Sequence, residues 1–508
     1  MRKSHEEKDI IEAGRMIMDH LNKHLSKAIK RPIRVLQYGG GNFLRAFVDY
    51  FIDLANEQGL FDGNVAVVET LPDSDVSRFK KQDCQYTLQL RGNVDGEEYV
   101  ETRLITSIDK ALTVFHDYEE YIALAKEEDL RFVVSNTTEA GIVFHENDRF
   151  EDKFNVSFPA KLTQFLYERY RAFHGDLKKG LIMLPVELID DNGIMLKKYV
   201  HDYISLWKLE DSFREWIDAA CIFTSTLVDR IVPGFPRDEK EQICEKLGYD
   251  DDLLDTAEPF ALWVIESEKD IREELPLDQA LKNKKGMDII FTDNQKPYKQ
   301  RKVRILNGAH TSFVLASYLM GHDTVKESMD DELVRDFMNE TIQEEIIPTL
   351  TLPKQELEAF AKAVVNRFNN PFIRHELLSI SLNSVSKWRA RCLPSLLGYI
   401  EKYHRLPKNL CFSIAALMAF YEGKEMSGTS LKGYRNGQEY LIKDDPEVLE
   451  FFKEYSALPA DELTEKYLGM VEFHGQDLTK IDGLKEAVSE DLEQIRTLGT
   501  RKAMELLK

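Results

Sequence analysis

Apolar positions in the first half of the chain alternate between two patterns. Short runs of strand character lie within Arg34–Tyr38, at Val65–Val68, within Leu130–Ser135, from Leu184 to Ile189 and from Ser225 to Pro233. Between such runs lie helix-like stretches such as Phe47–Asn56, where Phe47, Val48, Phe51, Ile52 and Leu54 recur at helical spacing. Strand and helix in alternation, from about residue 34 to 240, predict a parallel sheet with crossover helices. Beyond about residue 300 the pattern turns mostly helical, with helices expected over 332–347, 355–368, 377–403, 410–421 and 446–455. Residues 1–30 read as a separate amphipathic helix built on Ile10, Ile17, Leu21, Leu25 and Ala28. The expected architecture is α/β: a first domain over 1–285 that includes this extension, then a mostly α-helical domain over 286–508. No repeat or low-complexity tract interrupts it.

The first strand runs into Gly39-Gly40-Gly41-Asn42-Phe43-Leu44-Arg45-Ala46 and then into a helix. Strand, glycine turn and helix form the opening of a Rossmann-type dinucleotide-binding domain, where glycines let the backbone approach a pyrophosphate. Leu44 stands where a third glycine is usual, so on this motif alone an ordinary glycine turn fits equally well. Glu69, at the end of the second strand, adds the missing signal. A carboxylate there accepts hydrogen bonds from ribose hydroxyls and repels a 2′-phosphate, which favours NAD over NADP. Three further strand-like runs end in polar residues: Ser135-Asn136-Thr137, Asp190-Asp191-Asn192-Gly193 and Asp229-Arg230. Parallel strands present ligand-binding groups at such ends, although Asp-Asn-Gly is also a common turn and Asp229 with Arg230 an ordinary ion pair.

A third feature carries chemistry. Lys302, Asn307 and His310 lie five and three residues apart, with apolar residues between. On an α-helix of about 3.6 residues per turn they fall within an arc of roughly 140°. A lysine becomes a general acid or base where desolvation and positive neighbours lower its pKa. An asparagine amide hydrogen-bonds a carbonyl or alcohol oxygen, and a histidine does so or orients the lysine. A snorkelling lysine beside a core histidine would give the same spacing.

Taken together, these blocks resemble the polyol-specific long-chain dehydrogenases, the mannitol dehydrogenase family. The likeness rests on Gly39–Ala46, Ser135–Ile142, Ser225–Ile231, Lys296–Lys299, Lys302–Thr311 and Arg367–Pro371, spread over nearly the whole chain. It implies Lys302, Asn307 and His310 as catalytic residues, joined by Asn192 as a second amide donor and by Asp229 in an unspecified role. It implies NAD as cofactor, held by Gly39, Gly41, Asn42, Phe43, Glu69, Asn136 and Thr137, with no metal. The mannitol branch of the family has a glutamate three residues before its lysine, whereas this chain has Lys299. A cation there suits a small sugar-acid substrate, with Arg374, Lys387 and Arg389 as further partners for its carboxylate. The catalytic segment would lie near the domain junction, a common place for a substrate cleft.

Composition narrows the classes. The chain has 508 residues, with 67 basic against 89 acidic side chains and a net charge of −22. That length suits two domains, and that charge argues against nucleic-acid and anionic-membrane partners. The five cysteines are scattered without a CxxC pair, which suits a reducing cytoplasm and carries no structural zinc signature. No apolar run approaches membrane-spanning length. Nothing in the pattern specifies an oligomeric state.

Overall fold

In the computed structural model, residues 18–26, 28–137 and 141–508 are described. Twelve strands precede residue 296: β1 Ile33–Tyr38, β2 Asn64–Glu69, β3 Tyr86–Val94, β4 Glu97–Ile105, β5 Ile108–Thr113, β6 Phe132–Ser135, β7 Ile182–Pro185, β8 Ile222–Phe223, β9 Ser225–Asp229, β10 Asp255–Ala257, β11 Ala261–Glu266 and β12 Met287–Thr292. Six of them form one parallel sheet in the order β5-β2-β1-β6-β7-β8. The chain winds outward from β1 through β2 to β5, then returns to the other side of β1 and continues through β6, β7 and β8. The strand order therefore reverses between β1 and β6, where an open α/β sheet holds its ligand.

Both faces of this sheet are covered, which is why its strands read as apolar runs. Successive side chains go to opposite faces. Val65 and Val67 enter one core, with Val35, Phe132, Val134, Ile182 and Leu184. Ala66 and Val68 enter the other, with Leu36, Tyr38, Val133 and Met183. The helix Val48–Glu57 and Trp263 of β11 belong to the first core. The helices Phe158–Ala172, Asn192–Leu206 and Asp211–Ala220 contribute Leu162, Leu196 and Ile217 to the second.

The chain divides into a unit of residues 1–91 and 98–295 and a unit of 92–97 and 296–508. This moves the expected boundary at 285/286 to 295/296. The reason is pairing: β12 lies parallel to β11 from Met287 to Thr292, and β11 is antiparallel to β9, so 286–295 completes a sheet of the first unit. The amphipathic helix expected over 1–30 falls largely outside the described residues. Within its described part Leu21 is buried, Lys23–Ser26 forms one helical turn and Leu25 is exposed.

The second unit is mostly helical. The helix expected over 377–403 is three helices, Leu377–Ile380, Ser384–Arg391 and Leu393–Tyr403. Asn383 adopts the left-handed conformation (φ 53°), and Pro394, which lacks an N–H, opens the third helix. The helix expected over 332–347 is α-helical only to Glu340 and continues as a π-helix from Thr341 to Ile346. A small antiparallel sheet, Met426–Ser427, Ser430–Arg435 and Gln438–Ile442, was not anticipated. Among the described residues no helix is long and apolar enough to cross a membrane.

A buried polar network fixes the turn after β1. The Gln37 amide donates to Gly39 O at 3.1 Å and to Asp49 Oδ2 at 3.2 Å, tying strand, turn and helix together. Burial pushes Asp49 up to about 7, against the pull of Gln37 and Arg45. Asp255, 3.7 Å from Arg45, is also pushed up to about 7 by burial. Two predictions follow from these contacts. The folded value of Asp49 exceeds the unfolded carboxylate value of about 3.9, so the native state holds the proton more tightly. The stability this provides is lost as pH rises from about 4 to about 7. Asp49→Asn, which mimics the protonated acid, should therefore flatten the fall in melting temperature between pH 5 and 8; parallel curves for parent and variant would show that Asp49 does not titrate there. The other prediction concerns two glycines. A Cβ on Gly193 would meet Thr224 O at 1.9 Å, whereas one on Gly41 (φ −65°) would meet nothing within 4 Å. Gly193→Ala should lose about 1–3 kcal/mol of stability to overpacking, and Gly41→Ala should change it by less than about 1 kcal/mol. Urea midpoints measure both, and equal midpoints for the two variants would contradict the close packing at Gly193.

Candidate active site

The residues expected to hold a dinucleotide meet at the β1/β6 reversal. Gly39 has φ +106°, a conformation that suits glycine, and its N–H donates to Val68 O at 3.0 Å. The Gly40 N–H donates to Glu69 Oε1 at 2.8 Å, and a Cβ at Gly40 would sit 2.9 Å from the Phe79 ring. Glu69 thus stands beside the glycine turn as expected. The helix that opens there is only one turn long, Asn42–Arg45. The chain breaks at Phe47 (φ −130°, ψ −82°) before the longer helix Val48–Glu57. Leu44, at the missing glycine position, is buried in the first core. Asn42 Oδ1 accepts a hydrogen bond from Arg45, and Phe43 stacks on Phe47 at 5.0 Å.

On the β6 side, the Asn136 N–H donates to Tyr38 O at 3.2 Å, which holds the end of β6 against β1. Thr137 donates to Glu187 Oε1 through its N–H at 3.1 Å and its hydroxyl at 2.9 Å, and Ser135 Oγ donates to Glu187 Oε2 at 3.1 Å. Burial raises the Glu187 carboxyl, against these bonds. Glu187 therefore organises the polar loop after β6. Sequence reading named the residues of that loop and missed the group that positions them.

Two expected catalytic residues belong to the same unit. Asn192 is fully buried. Its Nδ2 donates to Pro185 O, Glu187 O and Thr226 O at 3.0–3.1 Å, and its Oδ1 accepts from the Gly193 and Thr226 N–H groups at 2.9 Å. Asn192 thus ties the ends of β7 and β9 together through its side-chain amide. Asp229 is buried at the end of β9, paired with Leu262 of β11. Arg230, its neighbour, donates from its guanidinium to Glu258 O at 3.0 Å and Ala46 O at 2.6 Å.

The C-terminal unit holds Lys302, Asn307 and His310. Lys302–Asn307 is a π-helix, followed without a break by the α-helix Gly308–Leu319. This corrects the α-helical geometry assumed for the motif and improves it. On an α-helix, residues five apart diverge by about 140°, whereas a π-turn closes i to i+5 and brings such residues toward one face. Lys302 and Asn307 therefore share a face. Arg304, buried between them in sequence, anchors the turn by donating to Ser395 Oγ at 2.8 Å and to Thr349 Oγ1.

Small residues let the next helix approach closely. A Cβ on Gly308 would stand 3.2 Å from Arg391 O, and the Cys392 thiol donates to Gly308 O at 3.5 Å. His310 stacks on Phe368 at 4.0 Å and meets His375 edge-on at 5.4 Å. Its Nε2 is sealed from solvent without a hydrogen-bond partner. Burial, then His375, Arg367 and Arg391, hold His310 well below the ordinary histidine value, so the ring is neutral. His375 was not expected at the site. Its signal was indirect, four residues beyond the Arg367–Pro371 block that supplies Phe368.

The expected substrate cations separate. Lys299 lies in the helix Lys296–Arg301, immediately before the π-turn. Lys387 is half-buried, donates to Ile380 O at 2.9 Å and is lowered by burial and then by Arg391. Arg374 is exposed and ion-paired with Glu376 at 2.5 Å, and Arg389 is exposed with a 3.4 Å bond to Glu472 O. A cluster of His20, Asp250 and Asp252 has metal-like spacing, but Lys240 lies 2.8 Å from both aspartates and already supplies their counter-charge.

Comparison with known proteins identifies both units. Residues 33–279 match the mannitol dehydrogenase Rossmann domain, and residues 294–496 match the mannitol dehydrogenase C-terminal domain. The chain is 45% identical over 494 residues to an altronate oxidoreductase of Shigella flexneri, covering 96% of this chain and 99% of that protein. It is 46% identical over 499 residues to an altronate oxidoreductase of Pectobacterium carotovorum, with the same coverage. Its fold is shared by Pseudomonas fluorescens mannitol 2-dehydrogenase, solved as a ternary complex with NAD and D-mannitol (TM-score 0.65, 21% identity, 96% of this chain and 99% of that chain). A substrate-free D-sorbitol dehydrogenase is also similar (TM-score 0.74, 20% identity, 96% of this chain and 100% of that chain). The two family domains follow one another along nearly the whole chain, and the chain belongs to the mannitol dehydrogenase family.

Proposed function

We propose that the protein is an NAD-dependent dehydrogenase that interconverts D-altronate and D-tagaturonate. The observation that carries this reading is the π-turn that aligns Lys302 with Asn307 beside a neutral His310, in a chain about 45% identical to altronate oxidoreductases over 96% of its length. The dinucleotide fits the β1/β6 reversal on three counts: the positive φ of Gly39, the open space over Gly41 and the Glu69 carboxylate beside the turn. Bound NAD supplies the hydride acceptor for oxidation of the carbon next to the terminal CH2OH.

The chain's own residues handle the proton. In oxidation Lys302 takes the proton of the reacting hydroxyl, and in reduction its ammonium returns a proton to the same oxygen. Asn307, on the same face of the π-turn, donates a hydrogen bond to that oxygen as negative charge develops. His310 stays neutral, with one ring nitrogen a donor and the other an acceptor, and orients the substrate by a hydrogen bond without adding charge. In the N-terminal unit Glu69 serves the ribose hydroxyls, and Glu187 holds Thr137 and the loop after β6 in place.

The direct test is NADH formation with altronate, run beside mannonate and mannitol. Altronate should give the highest kcat/KM, and a preference for mannonate would reassign the enzyme to fructuronate reduction within the same family. Lys302→Ala should lose about 10²–10⁴-fold in kcat, the usual worth of a positioned proton donor, with NAD affinity little changed. A variant with near-normal kcat would remove Lys302 from the proton path. Glu69 predicts a clear preference for NAD over NADP, which Glu69→Ser should relax. Equal kcat/KM for the two cofactors in the parent would sink that assignment.

A further inference from the structure

Arg391 differs from the ion-paired arginines of the C-terminal unit, and from Arg304, whose guanidinium is taken up by Ser395 and Thr349. Arg374 has Glu376, Arg435 has Asp323 and Arg496 has Glu422 as acidic partners. Arg391 is half-buried and, among the described residues, has no carboxylate within ion-pair distance. Its one hydrogen bond is a long one, from NH1 to Thr311 Oγ1 at 3.3 Å. Burial lowers its pKa, with only Cys392 acting in the opposite direction. One turn earlier on the same helix stands Lys387, which Arg391 further depresses. Two half-buried cations thus stand one helical turn apart, with Asp444 acting on Lys387 and, among the described residues, no carboxylate in ion-pair distance of Arg391. Such an arrangement is costly unless an anion completes it.

The position suits that anion. The Thr311 hydroxyl donates to Asn307 O at 2.9 Å, one turn along from the amide that faces the reacting oxygen. One helical turn rises about 5.4 Å. In a linear six-carbon acid the reacting carbon and the carboxylate are four bonds apart, about 5 Å in extended form for C–C bonds of about 1.5 Å. We propose that Arg391 binds the carboxylate of the sugar-acid substrate and is the residue that makes this enzyme select acids over polyols. The proposal rests on the altronate reading above and deepens it. The guanidinium fork pairs with both carboxylate oxygens, and Lys387 contributes charge from one turn away. Neither Lys302 nor Asn307 is needed for that contact, so the two ends of the substrate are held independently.

The test is Arg391→Gln and Arg391→Lys in the full-length enzyme, assayed with altronate and NAD. Arg391→Gln should raise KM for altronate about 100-fold, the usual worth of a shielded charge-assisted pair. Its kcat should stay within about threefold and its KM for NAD should not change. Arg391→Lys keeps the charge and loses the fork, so its KM should lie between those of parent and glutamine variant. An unchanged altronate KM overturns the proposal. So does a loss shared by kcat, the KM for NAD and the melting temperature, because that pattern marks a structural role. If Arg391→Gln does not fold, the lysine variant decides by the same split between KM and kcat. A parent enzyme that forms no NADH from altronate or mannonate refutes the functional reading itself, whereas an active parent with an indifferent Arg391→Gln refutes only the role of Arg391.

Discussion

The N-terminal unit depends on the burial of both faces of one parallel sheet. With helices on one side and Trp263, the helix Val48–Glu57 and further strands on the other, the central strands of that sheet have little room for polar side chains. They are mostly apolar, Gln37 of β1 being a buried exception, and polar groups gather at their C-terminal ends. There the reversal between β1 and β6 leaves a gap that no crossover covers. Gly39, Glu69, Asn136 and Thr137 occupy those ends. The gap is held open by polar groups inside the protein. Gln37 grips the turn from below, and Glu187 grips the loop after β6 from the side. Both are buried; Gln37 bonds Gly39 O and the Asp49 carboxylate, and Glu187 bonds the Thr137 N–H and two hydroxyls, so they act as framework.

Much of this was legible in the sequence because it is local. The run Val65–Val68 became β2 almost as read, and the glycine turn lies where its residues placed it. What escaped was set by tertiary pairing. Nothing in Met287–Thr292 says that it will align with Ala261–Glu266, yet that pairing moves the domain boundary by ten residues. Asn192 has contacts that no sequence spacing announces: its side-chain amide meets three carbonyls and two N–H groups of the backbone. His375 was invisible because its role arises from the edge-on approach to His310, a relation without a sequence period.

Charge shows the same divide between global and local. At −22 the chain repels anions on average. A site for an anionic substrate must therefore be built where the protein withholds its own carboxylates. Around His310 the neighbouring charges are Arg367 and Arg391, and they act in the same direction as burial. The surplus of acid elsewhere is partly absorbed in surface pairs such as Arg374 with Glu376, which add little to stability.

The π-turn is where these constraints meet. A single α-helix through residues 296–319 would satisfy its own hydrogen bonds more simply, and π-turns are rare for that reason. Here the wider turn is stabilised from outside. Arg304 reaches Ser395 and Thr349, and Gly308 admits the Arg391 carbonyl to 3.2 Å of where a Cβ would be. The neighbouring helices thus hold a conformation that the segment would not choose alone. Its effect is to convert a five-residue spacing, which an α-helix would splay, into one face shared by an amine and an amide. The functional geometry lies in the departure from regular helix, and the surrounding packing is what makes that departure stable.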